Sequence, residues 1–457
     1  MSELRTIARH ASTVLVGQLA VMAFGVTDTI VAGRYSEQAL AALSVGAAVY
    51  VTVFVALIGV LQALLPTWAE LHGAQKHHEL GRSVRQALYL AMLGIVVGVT
   101  ALLFPGTLLH VTEVPPAIEG DVMRYLGVLI FALPAALMFR VYSTLNQALG
   151  HPRLVTWLQA GSLFVKVPLT IWFVFGGLGL PAQGVVGCAW ATVCVNWLMV
   201  LFAAWMVRSQ PMYEPYAIWR ALEAPHWPTI GEFARLGVPG GLAVMVEVTS
   251  FTLMSLFIAR QGAIAAAAHQ VAANLAAVMY MVPLSLSIAT SARVSFWLGS
   301  GDPKRARAAA RTGFKLAMSL AAVMAATVFV ARGQIAAVYS PNPQVVATAV
   351  GLLSWLTVFH LGDALQAMCV FVLRCYRIVV APLLTYCVLL WGVGLAGGYV
   401  LAYVGAGPFS AQQSPAAFWQ AAAIALVLSA FILVAILWRS ARAYRPARQA
   451  APATQGT

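Results

Sequence analysis

The chain has 457 residues, of which 61% are hydrophobic and 9% charged, and its mean hydropathy is +0.84. A water-soluble domain of this length needs far more charge, so a soluble fold is excluded. The formal charge of +13 raises nucleic acid as a partner, but the positions of the charges argue against it.

Apolar runs of roughly 20 residues recur along the sequence, each long enough to cross a ~30 Å hydrocarbon core as a helix. In lipid every backbone N–H and C=O must be satisfied within its own segment, so these runs are predicted to be helical. In chain order the first is 11–33, which carries Asp28, followed by 39–66, 86–110 and 124–148, the last with Arg140. The fifth, 155–177, holds Lys166 within VKVPLTIWFVFGG, and the sixth is 184–207. A connector from Arg208 to Arg235 follows, with Pro211, Pro215, Pro225 and Pro228. The second set is 235–259 with Glu247, 264–292 with Arg293 at its end, 311–331, 345–373 with Asp363, 381–404 and 417–438. The ten-residue alternation of a membrane barrel is not seen.

With the N-terminus in the cytoplasm, twenty Lys and Arg fall on the cytoplasmic side, including Arg374, Arg377, Arg445 and Arg448. Four fall outside: Arg34, Arg124, Arg260 and Arg332. This is the positive-inside asymmetry of a plasma-membrane protein, so the basic excess reads as topology. Both termini are expected in the cytoplasm, the membrane being the inner (plasma) membrane of a bacterium. The five cysteines lie in or beside apolar spans without metal-ligand spacing and are expected to pack as small hydrophobes. The first apolar run lacks a small-residue cleavage site and carries Asp28, so no cleavable signal peptide is expected.

A shift of 226 positions superposes the two halves. Arg34 falls on Arg260, Ala41-Ala42 on Ala267-Ala268, Gly73 on Gly299, Arg85 on Arg311, and Leu90-Ala91-Met92 on Leu316-Ala317-Met318. An even number of spans per half sets both the same way up, which makes this a parallel repeat. The predicted fold is an all-α membrane protein of about twelve transmembrane helices, in two six-helix lobes related by a pseudo-two-fold axis. The N-lobe covers 1–207, a cytoplasmic connector 208–234, and the C-lobe 235–457 with a basic tail. Two such lobes can rock about a site between them, which favours a transporter over a channel.

The sequence has no GxxxxGK[ST], so an ion gradient is the expected energy source. That source needs ionisable groups at membrane depth, where a charge costs at least ~2.5–3.5 kcal/mol on insertion scales. Asp28, Glu247 and Asp363 fit, as proton carriers, as Na⁺ ligands or as partners of a cationic substrate; the alternative for each is a structural acid tied to an Arg or Tyr. Lys166 snorkels to an interface, neutralises Asp28, or competes with a coupling cation for it. Arg140 and Arg293 are expected to be interface anchors or ties between helices. Gln270, Asn274, Tyr280 and Gln366, with Met245, Met254, Met279, Met281 and Met368, are candidates for a cavity lining. Methionines and aromatic rings repack around varied apolar cations, although such residues also fill ordinary membrane helices.

Five stretches carry a resemblance. They are GVTDTIVAGR at 25–34, LPTWAELHGAQ at 65–75, RLGVPGGLAVMVEVTSF at 235–251, AAHQVAANLAAVMYMVPLSLSIATSARV at 267–294 and HLGDALQAMCVFVLR at 360–374. In these, and in order over nearly the full chain, the sequence resembles the multidrug and toxic compound extrusion (MATE) family, in its NorM-type branch. The resemblance implies an antiporter, working as a monomer, that expels small cationic or amphiphilic drugs and dyes in exchange for H⁺ or Na⁺, with no cofactor. It also implies a V-shaped cavity between the lobes, a C-lobe cation site at Glu247 and Asp363 (for H⁺ or Na⁺), and an N-lobe site at Asp28. One departure is evident: where NorM-type relatives tend to carry asparagines in an Asn-x-Pro-Leu-Asn pattern, this chain has Lys166 and Thr170. A lysine beside Asp28 would repel Na⁺, which moves the expected coupling to the C-lobe acids and toward protons. The alternatives are a flippase for a lipid-linked precursor and a membrane-embedded enzyme. The first usually has a cavity rich in Arg and Lys, and the second needs paired Asp motifs that do not occur here.

Overall fold

A computed structural model describes residues 2–104, 116–177, 179–220, 222–405 and 410–444. Twelve helices in it are long and apolar enough to cross a membrane. They are α1 (Glu3–Tyr35), α2 (Glu37–Gly73), α3 (His77–Leu103), α4 (Ile118–Ala148), α5 (Pro152–Phe175) and α6 (Val185–Ser209). The second set is α7 (Trp227–Ala259), α8 (Ala263–Gly299), α9 (Pro303–Tyr339), α10 (Pro343–Cys375), α11 (Val380–Val404) and α12 (Pro415–Ala443). The end of the third predicted span (105–110) and the basic tail with Arg445 and Arg448 lie outside the described residues.

Most helices outrun their predicted spans, because hydropathy stops at the first charges whereas helical hydrogen bonding continues into capped ends. Helix α9 starts eight residues before the predicted 311 and α7 eight before 235. Ser36 closes α1 and opens α2, its hydroxyl accepting from Ala39 N at 3.0 Å. Asp302 and Asn342 cap α9 and α10 in the same way. A proline opens each of α5, α9, α10 and α12, at the position where the missing N–H has no helical partner. Helix α11 is partly π-helical, over Cys387–Ala396 and Val400–Val404. Gly392, Gly394, Gly397 and Gly398 give that helix little side-chain packing to enforce the tighter coil. Neighbouring α7 joins this segment, with Ser250 donating to Leu390 O and Trp391 to Val246 O.

The repeat is visible in backbone detail. The 226-residue shift carries α2, Glu37–Gly73, onto α8, Ala263–Gly299, without a change of length. Both end in one turn: Ala74 N bonds Glu70 O, Gln75 N bonds His72 O and Lys76 N bonds Leu71 O. The equivalent bonds Ser300–Phe296, Gly301–Leu298 and Asp302–Trp297 close α8. Gln75 (φ 58°) and Gly301 (φ 77°) hold the same left-handed position, an exit that glycine adopts without strain.

Within the N-lobe α1 packs on α5, α2 on α4, and α4 on α3 and α6. Within the C-lobe α8 and α10 form the centre, flanked by α9 and α12, with α7 on α11. Each lobe has its own apolar core; Trp68 is fully buried in the first and Trp419 in the second. The lobes meet where α2 crosses α7 and α1 crosses α8, two contacts that the repeat interchanges. Glycine makes the first crossing close: a Cβ on Gly59 would come within 2.9 Å of Gly241 Cα, and one on Gly237 within 2.7 Å of Val60 O.

At the end bearing Glu3 and Gly73 the lobes touch backbone to backbone. A Cβ on Gly73 would run into the Phe296 carbonyl and lie 3.0 Å from its Cα, while one on Gly299 would run into the Glu70 carbonyl and lie 2.9 Å from its Cα. These contacts are again the repeat images of each other. Ion pairs cross at the same end: Arg293 Nη2 to Glu3 Oε1 at 2.6 Å and Arg377 Nη2 to Glu70 Oε2 at 3.1 Å. Trp297 Nε1 also donates to Glu3, and Arg377 Nη1 to Thr67 Oγ1. Arg293 is therefore a tie between lobes, whereas Arg140 is a tie within one, donating from α4 to Gln62 of α2 at 2.6 Å.

The segment between α6 and α7 is strapped to the N-lobe. Glu223 accepts from Arg85 Nη2 at 2.6 Å and Arg82 Nε at 2.8 Å. Arg85 Nη1 also bonds Ala217 O, Tyr89 bonds Glu223 O, and Gln86 holds Ala224 O and His226 N.

Candidate functional site

Two sites at membrane depth gather the predicted acids, one in each lobe. In the C-lobe, Glu247 lies midway along α7 and Asp363 on α10. Gln366 stands one turn further along α10, on the same face as Asp363. Its Nε2 donates to Asp363 Oδ1 at 3.1 Å and reaches Glu247 Oε1 at 3.4 Å, so one amide bridges carboxylates from two helices. Asp363 and Gln366 are buried and Glu247 is half-buried. Tyr280 of α8 and Tyr386 of α11 lie within electrostatic range of both acids, and Arg374 of α10 within range of Glu247, so four helices converge here. Gln366 Oε1 is buried with no hydrogen-bond partner among the described residues. Two carboxylates and a free amide oxygen form a donor set suited to a proton or a hard cation.

In the N-lobe, Lys166 of α5 reaches Asp28 of α1. Its Nζ lies 2.9 Å from Asp28 Oδ1 and 3.0 Å from Oδ2. It also donates to Thr192 Oγ1 at 2.6 Å and to the Cys188 carbonyl at 3.2 Å, both on α6. Thr170, one turn beyond Lys166, donates to Asp28 Oδ1 at 3.4 Å. The Lys166 side chain is 1% exposed, so it does not snorkel to an interface: with a carboxylate and two further oxygens inside the lobe, the ammonium has its partners at depth.

The other expected lining residues are distributed unevenly. Gln366 and Tyr280 belong to the C-lobe cluster. Gln270 and Asn274 are exposed on α8 and bond each other at 2.9 Å; Asn274 is the nearer of the two to Tyr280, a little under two turns away along the helix. Met245 of α7 and Met281 of α8 are half-buried, and Met254, Met279 and Met368 are packed into the core. Sequence reasoning missed Arg374 and Tyr386. Arg374 stands in the last turn of α10 and reads as an ordinary cytoplasmic charge, yet it is 5% exposed, with its guanidinium over the Phe371 ring. Tyr386 is one aromatic residue among many and carried no signal. Of the cysteines, Cys188, Cys369 and Cys375 are buried as expected, while Cys194 is exposed.

The comparisons with known proteins match this architecture. The sequence profile of the MatE family matches residues 14–172 and 239–400, one block in each lobe. The chain belongs to the MatE family. It is 38% identical over 425 residues to a probable multidrug resistance protein NorM of Aromatoleum aromaticum, covering 93% of this chain and 91% of the relative. It is 33% identical over 444 residues to the multidrug resistance protein PmpM of Pseudomonas aeruginosa, covering 97% and 93%. The fold matches the crystal structure of the eukaryotic MATE transporter AtDTX14 with a TM-score of 0.85 at 20% identity, over 96% of this chain and 97% of that one. A Vibrio cholerae MATE transporter, VcmN, in its bent form gives 0.84 at 15% identity, over 96% and 97%. This MatE protein is thus a multi-pass membrane transporter of the NorM type, and the reading as a membrane-embedded enzyme falls away.

Proposed function

We propose that this MatE protein is a secondary active multidrug exporter, exchanging small cationic or amphiphilic compounds for H⁺ or Na⁺ by alternating access. The observation that carries the reading is the Glu247–Gln366–Asp363 cluster. Two acids from different helices share one buried site, and like charges so close cannot both stay ionised without a compensating cation. Arg374 is within electrostatic range but is a fixed charge; a proton or Na⁺ is the mobile one. Because α7 and α10 hold one acid each, loading the site favours one arrangement of these helices and unloading favours another, which is the differential affinity that transport needs. Asp28 already has a positively charged partner, so coupling is assigned to the C-lobe acids, with protons as the favoured ion.

The topology follows from the same reading. The end that carries Glu3, Gly73, Arg293 and Arg377 faces the cytoplasm of a bacterium, both termini are cytoplasmic, and the protein works as a monomer in the inner membrane. The lobes are joined at that end, which makes this the outward-facing half of the cycle. Substrate cations would be held between the lobes by Tyr280, Met281 and Met245, with Gln270 and Asn274 as polar contacts. The lipid-linked-precursor flippase has less support, since the deep site is acidic.

Ethidium efflux from inverted vesicles, with an imposed pH gradient or an imposed Na⁺ gradient, tests the proposal. Glu247→Gln and Asp363→Asn are each expected to reduce gradient-driven efflux at least tenfold (about 1.4 kcal/mol of lost coupling). Full efflux by both variants would remove the mechanism.

A further inference from the structure

The N-lobe pair has a geometry that a simple salt bridge does not require. Four oxygens surround the Lys166 ammonium: both carboxylate oxygens of Asp28, the Thr192 hydroxyl and the Cys188 carbonyl, at 2.6–3.2 Å. They come from two helices, α1 and α6, while the lysine arrives from a third, α5. Three N–H donors thus meet four acceptors, and Thr170 supplies a further hydroxyl to Asp28 Oδ1. An all-oxygen shell with one carboxylate is the donor set of a hard monovalent cation, and Nζ occupies its centre. Among the described residues, the other titratable groups within electrostatic range of Asp28 are Tyr125 of α4 and Cys188 of α6, with Tyr50 of α2 in range of Tyr125, and none of these is a cation.

We propose that Lys166 is a tethered cation that fills an oxygen cage in the N-lobe and closes Asp28 to mobile ions, which makes Lys166 the residue that fixes ion selectivity. A soluble Na⁺ entering this cage would have to expel an ammonium that cannot leave the protein. The expelled group would then be a buried charge without a partner. The tether also keeps the N-lobe site neutral through the cycle, so that charge movement on ion binding is confined to Glu247 and Asp363. This rests on the reading of the C-lobe acids as the coupling site, but it concerns only the part of ion binding that depends on Asp28.

The test is equilibrium binding of ²²Na⁺ to the purified full-length protein without drug. In Glu247→Gln/Asp363→Asn, no Asp28-dependent Na⁺ binding is expected. Adding Lys166→Asn to that background should open the cage and put an amide oxygen near the vacated centre. Saturable Na⁺ binding should then appear, at least about tenfold above that of the double variant at equal Na⁺, and Asp28→Asn should abolish it. Lys166→Gln, which retains more of the side-chain volume, is the second route should the asparagine variant fail to fold; thermal unfolding of each variant checks this. Two results would overturn the proposal: Asp28-dependent Na⁺ binding with Lys166 intact, or none in folded Lys166→Asn and Lys166→Gln. A failure of the C-lobe reading shows separately, as binding or efflux that is indifferent to Glu247 and Asp363.

Discussion

Replacing Gly73 and Gly299 together by alanine should push this transporter out of the closed arrangement seen at its Glu3 end. Each added Cβ would meet a carbonyl of the opposite lobe and lie 3.0 Å or 2.9 Å from its Cα, where carbon atoms prefer ~3.5–4.0 Å. The obstacle in each case is helix backbone, so the strain is relieved only by moving the lobes apart. Overpacking of this kind costs about 1–3 kcal/mol per site. Two sites related by the repeat resist the same motion, so the double variant should lose about 2–6 kcal/mol of closed-state preference. At about 1.4 kcal/mol per tenfold, that is at least about a 25-fold shift of the equilibrium between arrangements. Spin labels at His78→Cys and Lys304→Cys, exposed positions that the repeat relates, would report the separation of the two lobes. The exposed Cys194 and the partly exposed Cys387 would first be replaced by alanine. A single short distance is expected in the parent and a second, longer population in the double variant. An unchanged distance distribution in a folded Gly73→Ala/Gly299→Ala protein would refute the view that this crossing sets the closed state.

Three other outcomes follow from the structure. Glu3→Gln keeps the size of the side chain but removes the charge that Arg293 grips, and should raise the open population by a factor of a few, as expected for a half-buried pair of about 1 kcal/mol. The same spin labels would read it, and no change would mean that the pair is passive. Hydrogen bonding from Arg85, together with the charges of Arg85 and Arg82, holds the Glu223 carboxyl below the usual carboxylate range. The strap is therefore fully stabilised above the ordinary glutamate value of about 4.3 and is weakened as pH falls through the depressed one. Amide exchange over 217–226, corrected for the intrinsic pH effect, should accelerate in that acidic window, and Glu223→Gln should show the faster exchange already at neutral pH. Trp68→Ala removes a fully buried indole whose Nε1 bonds Ser83 at 2.9 Å, and should cost about 3–5 kcal/mol of N-lobe stability. A lowered thermal midpoint in detergent would show it, and an unaltered midpoint would count against this packing.

The sequence by itself determined the membrane class, the number of helices and the repeat. Lipid forces long apolar runs into helices, and the 226-residue register of Gly73 on Gly299 survives as one shared turn geometry. It also located Asp28, Glu247, Asp363 and Lys166, because an ionised group at membrane depth stands out against 61% hydrophobic residues. Helix ends were less legible: α7 and α9 begin well before their apolar windows, since capping and hydrogen bonding follow the backbone and not the hydropathy. Only the tertiary structure decided which polar groups meet. Gln366 bridges two acids because α7 and α10 face each other. Lys166 finds four oxygens because α1, α5 and α6 converge on its ammonium, and a linear reading left snorkelling open beside pairing with Asp28. Arg374 reads as a solvated charge at a helix end and is buried because the C-lobe packs around it. Pairing of this kind depends on distances between helices far apart in the chain, which a local pattern of residues does not encode.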